Sequence, residues 1–143
     1  CLPVDHPFAR FCRQYGCRDS SQFDRNAGPM GRLIGVDSFC AKILPVLSER
    51  WDTADRALKL GFKTEIGSCS IGWHRGQLQL LNTSRGALSV RVNQDALMQL
   101  AMGYLTAGDL KCQDKLRASS GTLNLLERLF PQQTAHMWWA DRI

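Results

Sequence analysis

Residues 58–66, with the sequence LKLGFKTEI, place an apolar or β-branched side chain at every second position and a lysine, glycine or glutamate between them. Because successive side chains of a β-strand point to opposite faces, this alternation predicts a strand with one buried face and one solvent-exposed face. The same period recurs at Cys69–Trp73, Leu78–Leu80 and Leu88–Val92. Short turns separate these segments, so we predict antiparallel pairing throughout, since a parallel crossover takes about a dozen or more residues.

Helical spacing replaces the alternation on both sides of the predicted strands. Asp37 is a candidate N-cap for a helix whose apolar positions continue to Trp51, with a kink expected at Pro45. Three further helices are predicted to begin at Asn93, at Thr106 and at about residue 119. A sheet with helices on its apolar face is an α+β fold with a one-sided antiparallel sheet.

Residues 1–30 differ in character from the rest of the chain. Asp5 as N-cap and Pro7 in the first turn predict a short helix with one aromatic face, made of Phe8, Phe11 and Tyr15. An apolar stripe on so short a helix must be buried against another surface. We place a boundary at Gly28-Pro29, so that residues 1–30 form a junction segment and residues 31–143 a domain that opens with a short strand at Arg32–Ile34.

Composition narrows the class of protein. A chain of 143 residues fits one domain, and it lacks the run of about 20 apolar residues that spans a bilayer. The net charge is +5, but the basic residues are scattered singly, which argues against a nucleic-acid partner. The six cysteines show no Cys-x-x-Cys pair, so we expect no metal, reduced thiols and a cytoplasmic protein.

The end of the chain carries a collinear set of motifs. A predicted helix ends at Gly103-Tyr104, a later one stops at Leu129-Phe130-Pro131, and an aromatic and acidic tail follows from Met137 to Ile143. This order resembles the C-terminal, sterol-carrier-protein-like domain of large acyltransferases of the GNAT superfamily. The resemblance covers about residues 30–143, and the segment Leu2–Phe8 resembles the junction that precedes that domain.

The resemblance implies an accessory role beside acyltransferase lobes. In such proteins the domain contributes to the substrate cleft and to contacts in a homo-oligomer, and the terminal carboxylate, here that of Ile143, acts as a base when the lobes are present. Acetyl-CoA is the cofactor implied for the parent protein. None is expected for this chain, because it lacks the Gly-rich loop, Arg/Gln-x-x-Gly-x-Gly/Ala, that binds the acyl-CoA pyrophosphate.

A stand-alone carrier of a lipid or other hydrophobic small molecule is the alternative function. In the sterol-carrier family the space between sheet and helices opens into an apolar tunnel. The residues suited to line it are Trp51, Phe62, Trp73, Met98 and Met102. The same residues also suit an ordinary packed core, and the sequence leaves both interpretations open.

A third hypothesis is an independent hydrolase with Cys1 or Cys12 as nucleophile and His6 as base. No Gly-x-Ser-x-Gly elbow accompanies these residues, and His74 is expected to be a solvated histidine. The hypothesis requires a histidine within hydrogen-bonding distance of a thiol.

Overall fold

The computed structural model describes residues 6–16 and 31–133. The helices in these ranges are α1 (Pro7–Arg13), α2 (Val36–Arg50), α3 (Gln94–Ala101), α4 (Ala107–Cys112) and α5 (Ser120–Leu129). The strands are β1 (Lys59–Thr64), β2 (Gly67–His74), β3 (Gln77–Leu80), β4 (Leu88–Val92) and β5 (Leu116–Arg117). A short 3-10 turn, Thr53–Asp55, links α2 to β1. Among the described residues, no helix is long and apolar enough to cross a bilayer.

The strands form one sheet in the order β3-β2-β1-β4-β5. Three of the four pairings are antiparallel, and the two that join predicted strands, β1 with β2 and β2 with β3, confirm the prediction. At the centre of the sheet, however, β1 and β4 run parallel, with Phe62 beside Val90 and Lys63 beside Arg91. The prediction of antiparallel pairing throughout is therefore wrong for this pair, and the alternating pattern does not predict the two-residue strand β5.

The parallel pair requires the chain to cross from β3 at one edge to β4, over β2 and β1. Residues 81–87 make this crossover on the outer face of the sheet. A Cβ added to Gly72 would stand 3.0 Å from Leu81 Cδ1, and one added to Gly61 would stand 3.4 Å from Ala87 Cβ. Because both glycines leave room for the passing chain, a short segment suffices where a helical crossover takes about a dozen residues.

The inner face of the sheet is apolar and covered by helices. Its buried side chains include Leu60, Phe62, Ile71, Leu78 and Val90. α2 packs against β2 and β3, and α5 contacts β4. Phe62 also meets Phe130, just after α5, edge to face with the ring centroids 6.2 Å apart. Since the charged neighbour of Phe62, Lys63, is exposed, the predicted α+β fold with a one-sided sheet is confirmed.

Two predicted helix caps are present. In α4, Thr106 Oγ1 accepts a hydrogen bond from Asp109 N at 3.0 Å, and Asp109 Oδ2 accepts one from Thr106 N at 3.1 Å. These reciprocal bonds form the capping box. The Thr106 hydroxyl also donates to Asp109 Oδ2 at 2.8 Å, and this bond, followed by the one from Thr106 N, lowers the pKa of the Asp109 carboxyl. In α5, Ser119 Oγ accepts a hydrogen bond from Thr122 N at 3.3 Å.

Three other local predictions are wrong. The N-cap of α1 is His6 rather than Asp5, because His6 Nδ1 accepts the hydrogen bond from Phe8 N at 3.1 Å. α2 begins at Val36 after an extended Gly35, which places Asp37 inside the first turn. Arg32–Ile34 forms no strand, and Ile34 is 96% exposed.

The sulfur atoms of Cys40 on α2 and Cys69 on β2 are in contact between the helix and the sheet. The expectation of reduced thiols stays a prediction. Both residues lie on apolar faces, as the periodicity predicts, but periodicity does not show that these two faces meet. Cys12 and Cys112 are free thiols, and Cys1 and Cys17 lie outside the described residues.

Gly103 ties the end of α3 to the segment that follows α5. Its φ of +69° is left-handed, and its carbonyl accepts a hydrogen bond from Gln133 N at 2.9 Å. A Cβ at this position would stand 2.9 Å from Pro131 O and 2.7 Å from Gln133 N. The Gly103-Tyr104 and Leu129-Phe130-Pro131 motifs are therefore brought together through backbone contact.

Gly103→Ala is expected to lower the free energy of unfolding by about 2–4 kcal/mol, since it combines left-handed strain with a clash against backbone atoms. Gly86→Ala is the matched control, because Gly86 has a φ of +73° but no atom within 4 Å of an added Cβ. The control is expected to lose only about 1–2 kcal/mol. Urea denaturation measures both, and equal losses would contradict the role given to the contact.

Candidate functional site

The five residues predicted to line an apolar tunnel occupy three different environments. Trp51 and Phe62 are core residues, 4% and 1% exposed. Trp73 and Met98 are half-buried at the margin of the core. Met102 follows the last turn of α3 and is 51% exposed. Two pockets in the described part of the chain are considered below. Phe62 lines one of them, and the other four residues line neither, so the five do not share one of these pockets.

Trp51 is held by hydrogen bonds typical of a structural residue. Trp51 is the C-cap residue of α2, and its Nε1–H donates a hydrogen bond to Asp55 O at 2.9 Å. The carboxylate of Asp55 pairs with Arg128, and Arg50 Nη1 donates to Leu129 O at 3.0 Å. These bonds fasten the end of α2 to the end of α5 over the core.

Trp73 has the least satisfied environment of the five. It lies on the inner face of β2 opposite Leu78, and the guanidinium carbon of Arg56 stands 4.4 Å from the ring centroid. This distance is typical of a cation–π contact. The indole Nε1–H is buried without a hydrogen-bond partner. Such unpaired donors are rare in folded proteins, and each has a free-energy cost of about 1–3 kcal/mol.

The larger described pocket lies on the other face of the sheet. We call it the basic groove. It has a volume of about 460 Å³ and lies where β1, β4 and β5 approach the start of α3. Its charged lining residues are the cations Lys63, Arg91, Lys115 and Arg117 and the acids Glu65 and Asp114. A smaller hollow of about 130 Å³ lies beneath the crossover, between Ser84 and the outer-face residues Gly61 and Ser70.

Sequence reasoning missed the basic groove because its cations are separated along the chain and look scattered. The parallel register places Lys63 beside Arg91, and the antiparallel register of β4 and β5 places Arg91 beside Arg117. The alternation of each strand assigns these residues to the outer face. To predict that these cations lie together, one would also need the order of the strands. That order depends on distant parts of the chain and cannot be read from the spacing of residues.

Three of the candidate catalytic residues, His6, Cys12 and His74, lie within the described ranges. His6 is engaged as the N-cap of α1, and Cys12 is half-buried near the end of that helix. His74 is exposed at the end of β2, as expected. Within residues 6–16 and 31–133, no three His, Cys, Asp or Glu side chains are placed to hold a metal ion. Cys1 and Ile143 lie outside the described residues.

Comparisons with known proteins bear on the fold. No protein-family model matches the chain, and neither does any curated protein. Similar solved structures include palmitated SCP2L2 from Aedes aegypti, at 17% identity and a TM-score of 0.48, over 71% of this chain and 100% of that one. Sterol carrier protein 2 from Yarrowia lipolytica, in its apo form, matches at 15% identity and a TM-score of 0.43, over 68% of this chain and 98% of that one.

A third similar structure is a conserved protein of unknown function from Enterococcus faecalis V583, described as a probable N-acyltransferase. It matches at 16% identity and a TM-score of 0.39 over 54% of this chain, which spans 20% of the length of that protein. Both kinds of protein named by the sequence resemblance are thus among the similar structures. Because every identity is low and every TM-score is below 0.5, function has to be argued from this chain's own residues.

The contrast between Phe62 and Met102 yields a test of the packed interior. Phe62→Ala is expected to lower the free energy of unfolding by about 3–5 kcal/mol, because it leaves a cavity in a filled core. Met102→Ala is expected to change it by less than about 0.5 kcal/mol, because the side chain is largely in solvent. Urea denaturation measures both. A loss below about 1 kcal/mol for Phe62→Ala would indicate an open interior instead.

Proposed function

We propose that this chain is an accessory domain of a larger GNAT-like N-acetyltransferase and docks on the acyltransferase lobes through α1. The observation that carries the proposal is the aromatic face of this helix. Phe8, Phe11 and Tyr15 are 55%, 52% and 75% exposed. The rings of Phe8 and Phe11 stack with centroids 6.3 Å apart, and those of Phe11 and Tyr15 are tilted with centroids 5.0 Å apart.

The length of α1 strengthens this argument. The helix has 7 residues, whereas an isolated helix shorter than about 12–15 residues is marginal in water. Burial of each large aromatic side chain stabilises a contact by about 1.5–3 kcal/mol. A partner surface that covers the three rings would therefore both hold the domain and complete the helix. In this proposal residues 1–30 are the junction to the lobes and residues 31–143 are the accessory domain.

The proposal assigns the chemistry to the parent protein. Acetyl-CoA binds to the lobes, and this domain shapes the substrate cleft and contributes to contacts between subunits of a homo-oligomer. The carboxylate of Ile143 acts there as a base when the lobes are present. The hydrolase hypothesis is less well supported, because the Nδ1 atom of its proposed base, His6, already accepts the hydrogen bond from Phe8 N.

Phe11→Ser is expected to weaken binding of the chain to a separately expressed acyltransferase region by about 10- to 100-fold, which corresponds to losing the burial of one aromatic ring. Tyr104→Ser is the control, since Tyr104 is an aromatic residue 62% exposed elsewhere on the surface. Calorimetry measures the affinities, and circular dichroism confirms that both variants fold. Wild-type affinity in Phe11→Ser would refute docking through α1.

The alternative function, a carrier of hydrophobic small molecules, is favoured by the surroundings of Trp73. The buried indole N–H lacks an acceptor, and the guanidinium of Arg56 lies over the same ring. An amphipathic ligand with a carboxylate could accept a hydrogen bond from the indole and pair with Arg56, while its chain packs beside the half-buried residues of α2, Phe39, Ile43 and Leu44. We propose a long-chain fatty acid as the ligand of this second candidate.

Palmitate titration followed by tryptophan fluorescence tests the carrier function. Saturable binding of one palmitate per chain is expected, with about tenfold weaker binding in Arg56→Ala, since the variant loses a charge-assisted contact. Arg85→Ala, on the crossover at the other face of the sheet, is the control and is expected to bind as the wild type does. Equal binding by Arg56→Ala and the wild type would exclude this site.

A further inference from the structure

Three cations stand in one row across neighbouring strands of the outer face. Lys63 on β1 is the register partner of Arg91 on β4, and Arg91 is the partner of Arg117 on β5. Adjacent strands lie about 4.8 Å apart, so the row is about 10 Å long. Like charges at directly paired positions repel and destabilise a sheet. The arrangement therefore has a cost in the free protein that an anion would remove.

The acids of the basic groove are already engaged. Both carboxylate oxygens of Glu65 accept a hydrogen bond from Gln94 N, at 2.9 and 3.2 Å, at the start of α3. Asp114 accepts two hydrogen bonds from Arg117, at 3.1 Å from Nε and 3.0 Å from Nη2. These bonds lower the pKa of the Asp114 carboxyl. No ion pair within the described ranges includes Lys63, Arg91 or Lys115.

The charge of the groove therefore exceeds what its own acids neutralise. Four cations face two carboxylates, which leaves a net charge of 4 − 2 = +2 within about 460 Å³. The volume is sufficient for a small molecule, and the groove is open to solvent. Lysine and arginine side chains together provide both point charges and planar forks of donors for oxyanions.

We propose that the basic groove binds a small molecule that carries two neighbouring phosphate groups. Phosphate is favoured over a single carboxylate because one phosphate monoester has a charge of about −1.5 to −2 at neutral pH and three acceptor oxygens. Among the described residues, Lys63, Arg91 and Lys115 have no ion-pair partner, and two phosphate groups supply a comparable opposite charge. A small molecule is favoured over a membrane surface because the cations line a groove between β1, β5 and the start of α3. This site is on the opposite face of the sheet from Trp73 and does not depend on either proposed function.

Calorimetric titration of the full chain with inorganic pyrophosphate at about 50 mM salt tests the proposal, since low salt preserves interactions between exposed charges. Arg91→Gln and Lys63→Gln are each expected to weaken pyrophosphate binding by about tenfold or more. Lys42→Gln, which removes one exposed charge from α2, is the matched control and is expected to stay within about twofold of the wild type. Arg91→Gln is also expected to leave Tm unchanged or raise it, because it relieves repulsion in the row.

Several outcomes would overturn the proposal. The first is an absence of wild-type binding at about 5 mM pyrophosphate, and the second is equal weakening by Lys42→Gln, which would indicate a general charge effect. Inorganic phosphate binding as tightly as pyrophosphate would refute a site for two phosphate groups. Co-sedimentation with phosphatidylglycerol vesicles through Lys63 and Arg91, without pyrophosphate binding, would assign the groove to a membrane surface instead.

Discussion

The crossover from β3 to β4 is the constraint on which the rest of the structure depends. Residues 81–87 pass over the outer face of the sheet where Gly61 and Gly72 leave the space that a side chain would fill. This passage inserts β4 beside β1 and carries β5 to the far edge. The parallel register then aligns Lys63 with Arg91, and β5 adds Arg117. The strand order that this passage sets therefore brings the cations of the basic groove together.

The inner face has a different role, because its side chains form the buried core of the described residues. The contact between Cys40 and Cys69 joins α2 to β2, and Gly103 links the end of α3 to Gln133. Large residues such as Phe62 fill the space between the layers. The recognition sites that we propose therefore lie at the surface, in the aromatic face of α1, at the margin of the core beside Trp73, and in the basic groove.

The sequence predicted the features that depend on local chemistry. Strict alternation located the strands, and Thr106 with Asp109 located a helix start, because both signals lie within a few residues. Pairing between distant segments was not predictable, since the spacing that suggests a turn between β3 and β4 fits a crossover equally well. Periodicity also assigned Trp51 and Phe62 to an apolar face without showing whether that face borders a tunnel or a filled core. Met102 lies beyond the last turn of α3, where helical periodicity no longer determines burial.

We infer that the chain keeps a buried core and acts through its surface, with α1 completed by a partner. Hydrogen–deuterium exchange of the chain alone and with the acyltransferase region tests this claim most directly. In the chain alone, the amides of α1 are expected to exchange rapidly while those of β1 and α5 are protected. With the partner present, α1 is expected to become protected and β1 to stay as it was. Protection of α1 equal to that of β1 in the isolated chain would contradict the account.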